Sequence, residues 1–166
     1  MHVAWVTAVI LCAILFVCFM FVIAFGAPFL PTLKPQVPIA LDLADLKPGQ
    51  TLLELGSGDG RILAEAARRG LTAIGYELNP LLVAYSWLLT RKYRKKVKII
   101  WGNYWRKPLP PANGIFVFLL QPYMQKLDKK ITQDFDKPVK LVSFAFTVPG
   151  KKPVATKSGL FLYRYK

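Results

Sequence analysis

The pattern of apolar and polar positions changes character twice along this chain. From Val3 to Phe25 the apolar run is almost unbroken (VAWVTAVILCAILFVCFMFVIAF), and residues 1–33 contain no Asp, Glu, Lys or Arg. As a helix, 23 such residues span about 34 Å, against a bilayer hydrocarbon core of about 30 Å, so residues 1–27 are predicted to form a transmembrane anchor. A cleaved secretory signal would show a basic n-region and a shorter apolar stretch. This sequence has neither. GAPFLPTLKPQVP then places prolines at 28, 31, 35 and 38, so 28–38 reads as an extended, semi-rigid spacer rising about 3.1 Å per residue.

From residue 39 to 166 short apolar runs alternate with amphipathic stretches, which predicts one α/β domain with a mainly parallel sheet and helices on both faces. IALDLADL (39–46) reads as a short helix ended by Lys47-Pro48-Gly49. Strand one is placed at 51–55, and a helix at 60–69 with Gly70 as its C′ residue. Strand two follows at 72–77. The next helix opens with Asn79 as N-cap and Pro80 at its first position and runs to 94. Strands three and four are placed at 97–101 and 114–120, a helix at 122–134, strand five at 139–147 and a last strand at 159–165. Little chain separates those last two strands, so the sheet is expected to be trimmed to about six strands, the last antiparallel beside strand five.

The first strand–loop–helix–strand unit carries the candidate chemistry. LLELGSGDGRI (52–62) puts Gly56, Gly58 and Gly60 at every second position behind Glu54, and Glu77 ends the next strand nineteen residues after Gly58. Glycines without Cβ atoms let the backbone lie directly against a ligand. Free N–H groups at the following helix can hold an anionic or carboxylate group. An acid at the tip of the second strand can accept both hydroxyl hydrogens of a ribose. The loop reads G-S-G-D-G, whereas a dinucleotide fingerprint reads G-x-G-x-x-G. Asp59 is also placed to cap the next helix.

This E-x-G-x-G-x-G form resembles motif I of class I S-adenosylmethionine (SAM) methyltransferases. LKPGQ, LGSGDGRI, GYELNPLLV, GNYW and, more weakly, QPYM resemble in order the single-pass membrane lysine methyltransferases of adenine nucleotide translocase and the ATP synthase c-subunit. The resemblance covers most of residues 41–165. It implies a Rossmann-like class I methyltransferase sheet, SAM as cofactor, and an integral membrane protein as substrate. Glu54, Gly56, Ser57, Gly58, Asp59, Gly60, Glu77, Asn103 and Tyr104 become the expected cofactor residues, with Glu54 near the cofactor's amino group. Asn103 falls where the family contacts adenine, usually through Asp; Asn still offers an acceptor. Tyr104 and Trp105 pack either on adenine or on the core. Gln121, Pro122 and Tyr123 follow strand four at the edge where substrates enter, as substrate-side residues or simply a helix start.

Charge and rare residues narrow the picture. The net charge is +14, with every Lys and Arg at or after Lys34, which favours an N-out, C-in orientation with a cytoplasmic domain. RKYRKKVK (91–98) is the densest run: a solvated helix end, or a patch adhering to anionic membrane lipids. No nucleic-acid motif accompanies the charge, so nucleic acid is not expected as a partner. Cys12 and Cys18 are both in the apolar segment, and His2 is the one histidine. Zinc chemistry and histidine acid–base catalysis are therefore excluded, and no metal is expected. An NAD enzyme would need a substrate domain for which there is no room. The remaining alternative is a non-catalytic basic membrane adaptor with a degenerate methyltransferase fold. Without an Arg-rich presequence the membrane is expected to be a prokaryotic plasma membrane, or a mitochondrial one in a eukaryote.

Overall fold

A computed structural model describes residues 2–25 and 31–166, with the side chains of 18 and 21–25 also left out. Helix α1 covers His2–Phe25 and carries no acid in its first turn and no base in its last. The side chains described on it, residues 2–17, 19 and 20, extend over about 28 Å, and among the described residues no helix is long and apolar enough to cross a membrane. Residues 26 and 27 of the expected anchor and 28–30 of the expected linker lie outside the described residues.

The linker does not stay extended to 38. Helix α2 runs Gln36–Ala44, three residues earlier than expected, with Pro35 at its N-cap. Proline has the helical φ and no N–H to leave unpaired, so the Pro-rich segment starts the helix rather than delaying it.

Seven strands form one sheet: β1 Thr51–Leu55, β2 Thr72–Glu77, β3 Val97–Trp101, β4 Gly114–Val117, β5 Val139–Phe144, β6 Ala155–Lys157 and β7 Leu160–Tyr165. Their order is β3-β2-β1-β4-β5-β7-β6. The first five are parallel; β7 is antiparallel to β5, and β6 to β7. The expected trimming to about six strands is corrected by β6. Ser158 and Gly159 both have positive φ, the requirement of a two-residue hairpin turn between β6 and β7. Strand five stops three residues early because Ala145 turns to φ 66 and donates its N–H to the Gly159 carbonyl at 2.8 Å.

Helix α3 (Arg61–Arg68) and helix α4 (Pro80–Thr90) pack on the sheet face that α2 also covers, and helix α5 (Gln121–Asp134) packs on the other. α3 ends in a Schellman arrangement: Leu71 N–H bonds to the Ala66 carbonyl and Gly70 N–H to the Ala67 carbonyl, both at 3.0 Å. The two cores, Leu53/Val117/Met124/Leu127/Leu141 on one face and Leu41/Leu52/Ile62/Leu63/Phe116 on the other, leave the carboxyl ends of β1, β2, β3 and β4 on one edge. In such sheets that edge is where ligands bind.

Candidate active site

The site starts where β1 ends. Gly56 and Ser57 donate their N–H groups to the Tyr76 carbonyl at 2.9 and 2.8 Å, which folds the loop back over β2. Gly56 has φ 87, and a Cβ there would meet nothing within 4 Å, so its bare face borders open space. Gly60, at φ 80, is the N-cap residue of α3. A Cβ on it would sit 2.2 Å from Ser86 Oγ on α4, so glycine here lets α4 lie against the loop.

Glu77 sits at the centre of this arrangement. Its Oε2 accepts the Gly58 N–H at 2.8 Å, and its Oε1 accepts those of Leu78 and Asn79, both at 2.8 Å. Three charge-assisted bonds fix the carboxylate and link the glycine loop to β2. Glu54 is the opposite case. It is buried, and its Oε2 has no hydrogen-bond partner. Burial, followed by the nearby Asp59 and Glu77, pushes its pKa well above the ordinary carboxylate range.

Several expected residues take roles other than those read from sequence. Asp59 is not the N-cap; it accepts the Arg61 N–H at 3.2 Å and pairs with the Arg61 guanidinium, Nε–Oδ1 at 2.9 Å. Arg61 Nη1 also donates to the Thr32 carbonyl at 2.7 Å, so the guanidinium ties the segment before α2 to the glycine loop. Ser57 turns its side chain inward: a Cβ on Gly75 would lie 2.8 Å from Ser57 Oγ. Its N–H is taken by Tyr76, while its buried Oγ has no hydrogen-bond partner among the described residues. Asn103 Oδ1 accepts the Trp105 N–H at 2.9 Å, capping the turn Tyr104–Arg106, which leaves its amide NH2 and one lone pair free.

Tyr104 is half-buried and packs against the core below α5. Burial, and then the nearby Glu77 and Tyr123, push the pKa of its phenol up. Its ring centroid lies 4.7 Å from that of Trp105. Gln121 pairs with the backbone of Thr147: Nε2 donates to the Thr147 carbonyl at 3.0 Å and Oε1 accepts the Thr147 N–H at 3.3 Å. Pro122 lies in the first turn of α5. All three are exposed at the edge, and Tyr123 brings the aromatic group there. Sequence reasoning missed Ser86, Arg61 with Thr32, and the aromatic group Phe118, Phe144 and Phe146 at the ends of β4 and β5. There the Phe118 ring centroid is 4.8 Å from Phe144 and 6.3 Å from Phe146. The run FVFLLQPY held a signal for Phe118; its partners come from a strand more than twenty residues on.

Residues 54–155, from the unpaired acid to the first residue of β6, match the ANTKMT methyltransferase domain. The chain belongs to this family. It is 32% identical over 130 residues to the ATP synthase c-subunit lysine N-methyltransferase of Homo sapiens, covering 76% of this chain and 54% of that one. It is 33% identical over 131 residues to the adenine nucleotide translocase lysine N-methyltransferase of Mus musculus, covering 77% and 57%. The chain thus spans little more than half the length of these curated relatives. Among solved structures, an RNA methyltransferase from Salinibacter ruber in complex with S-adenosyl-L-homocysteine superposes with a TM-score of 0.74. The two are 28% identical, over 82% of this chain and 92% of that one. The fold is that of SAM-dependent methyltransferases.

Proposed function

We propose that this protein is a SAM-dependent lysine N-methyltransferase, held at a membrane by α1 in a single pass with its catalytic domain on the cytoplasmic side, and acting on an integral membrane protein. The observation that carries the cofactor assignment is the buried Glu54 carboxyl group with an unpartnered oxygen beside an open glycine loop. A cationic amino group satisfies that oxygen, and Glu77 on its three N–H groups is fixed to take ribose hydroxyls. Gly56, Gly58 and Gly60 supply the cradle, and Asn103 with Tyr104 border the base. SAM supplies an activated sulfonium methyl group. What remains for this chain is to hold the acceptor, exclude water and favour the neutral amine. A lysine starts from a pKa of about 10.4, and burial lowers it, so a dedicated strong base is not required. Tyr123 and the Phe118 group stand at the edge where the acceptor enters.

The relatives named for c-subunit and translocase lysines support a membrane-protein acceptor. The uncharged Val3–Phe25 run, with every basic residue beyond it, supports the anchor and its orientation. The adaptor alternative leaned on a truncated sheet, and seven strands remove that support. A specific observation keeps RNA as the second reading: the Salinibacter protein is named an RNA methyltransferase, and this domain is strongly basic.

Membrane proteomes of cells with and without this gene decide between these readings. Methyl-lysine is expected to vanish from one or a few integral membrane proteins, to return with the parent chain and not with Glu77→Ala. The protein itself is expected in the carbonate-resistant membrane fraction. Loss of methylation only from RNA or soluble proteins would overturn the acceptor assignment, and release of the full chain by salt alone would overturn the anchor.

A further inference from the structure

α4 turns its polar residues inward. Its buried residues are Ser86 and Thr90, and Ser86 is held small by the approach to Gly60. The outer face carries Leu81, Ala84, Tyr85 and Leu88 at i, i+3, i+4 and i+7, with Trp87 and Leu89 on its flanks; the five large ones other than Ala84 are 42–65% exposed. Trp101, at the end of edge strand β3, extends this face at 67% exposure, its indole N–H donating to the Leu78 carbonyl at 3.0 Å. A surface helix of a water-surrounded domain shows the reverse arrangement.

Charge on the same flank identifies what covers it. Arg91, Lys92, Arg94, Lys95, Lys96 and Lys98 follow α4 directly and are all exposed. Between Glu77 and Asp128 the chain contains nine Lys and Arg and no acid. Leucines with tryptophan and tyrosine beside a block of cations are the composition of a surface that lies in an anionic bilayer interface. The place where the chain enters the domain is on the same flank. Lys34 and Pro38 share a cleft of about 830 Å³ with Tyr85, Leu89 and Lys92.

We propose that α4, Trp101 and the 91–98 run form a docking face that rests on an anionic lipid surface. Leu81, Tyr85, Trp87 and Leu88 enter the headgroup–acyl boundary, and the lysines and arginines meet the headgroups. Edge strand β3 then lies along the bilayer, which covers an otherwise unpaired edge. The carboxyl edge with Glu54 and Glu77 opens sideways along the membrane, where a loop of an integral protein lies. This deepens the membrane reading above and rests on it only for the presence of a bilayer.

The test uses a chain beginning at Pro31, which retains both cores, since they run from Val37 to Tyr165. Both native cysteines lie before that point, so Leu88→Cys and Gln133→Cys each carry a single environment-sensitive fluorophore. On vesicles of phosphatidylcholine with phosphatidylserine the label at 88 is expected to shift to an apolar signal. The label at 133, on α5 across the sheet, is expected to stay aqueous. Pure phosphatidylcholine should bind far less, and replacing Lys92, Lys95 or Lys96 by Gln should weaken partition about fivefold each at low salt. An aqueous label at 88 on anionic vesicles overturns the proposal. So does a shift without vesicles that tracks dimer formation, or a shift on RNA alone. Because α1 is absent from this chain, failure here leaves the anchor untouched. Carbonate extraction of the full chain tests the anchor separately.

Discussion

Glu54 sets two demands against each other. Its pKa is raised in the folded protein, so the folded state holds its proton more tightly than the unfolded chain does. Its contribution is therefore complete below the ordinary carboxylate range and is lost as pH rises through the raised value. The ligand-free domain should lose stability over that interval. Glu54→Gln keeps the shape and removes the titration. Above the raised pKa the variant should be the more stable of the two without SAM, because it never carries an unpaired buried charge. It should also bind SAM more weakly at the same pH, because an amide cannot pair with the ammonium. Thermal melts across pH, each with and without SAM, read both signs at once. A variant destabilised at every pH, or one that binds SAM as tightly as the parent, would remove Glu54 from the cofactor site.

Among the elements, what was legible in the sequence follows from whether the cause is local. Asn79 and Pro80 mark the start of α4 because capping is a contact between neighbours, and Asn79 Oδ1 does accept the Leu81 N–H at 2.9 Å. Strands β2 and β3 were placed at their observed bounds by apolar runs closed by Glu77 and by Gly102. β6 was not, since three residues without alternation are held only by pairing with Leu160–Leu162. The pairing of Gln121 was not legible for the same reason: its partner Thr147 lies 26 residues away and nothing near either announces the pair. Gln121→Ala should therefore loosen the 145–154 connection at a cost of about 1–2 kcal/mol for two hydrogen bonds. Chemical denaturation measures that cost. SAM affinity should be unchanged by titration calorimetry, and a large fall in turnover with stability intact would return Gln121 to the acceptor side. The glycine loop and Glu77 were legible because close backbone approach restricts residue type so tightly. The neighbours of Ser57 and Asp59 in that motif, Gly75 and Arg61, were not legible, because Gly75 comes from the next strand and Asp59 is paired through a side chain that also reaches Thr32.

For the whole molecule, charge ties site and surface together. Glu54, Asp59 and Glu77 are three of the nine acids, which leaves six acids against 23 basic residues elsewhere. A cationic surface repels a lysine ammonium, and for the proposed lysine acceptor that repulsion would have a use: like charge favours the neutral form, the one that accepts a methyl group. The anionic bilayer would hold the domain in place while the basic field lowers the acceptor's pKa. Salt separates this from simple burial, because exposed charges are screened beyond about 8–10 Å at ionic strengths near 0.1–0.15 M, whereas a buried site is not. With a detergent-solubilised acceptor, so that lipid binding does not enter, the pH at which turnover reaches half its maximum should move upward as salt is added, and the rate at neutral pH should fall. Replacing Lys92, Lys95 and Lys96 together by Gln should move that midpoint the same way at low salt and make it less salt-dependent. A midpoint that stays fixed as salt rises would leave desolvation alone to deprotonate the lysine and confine the basic surface to lipid contact.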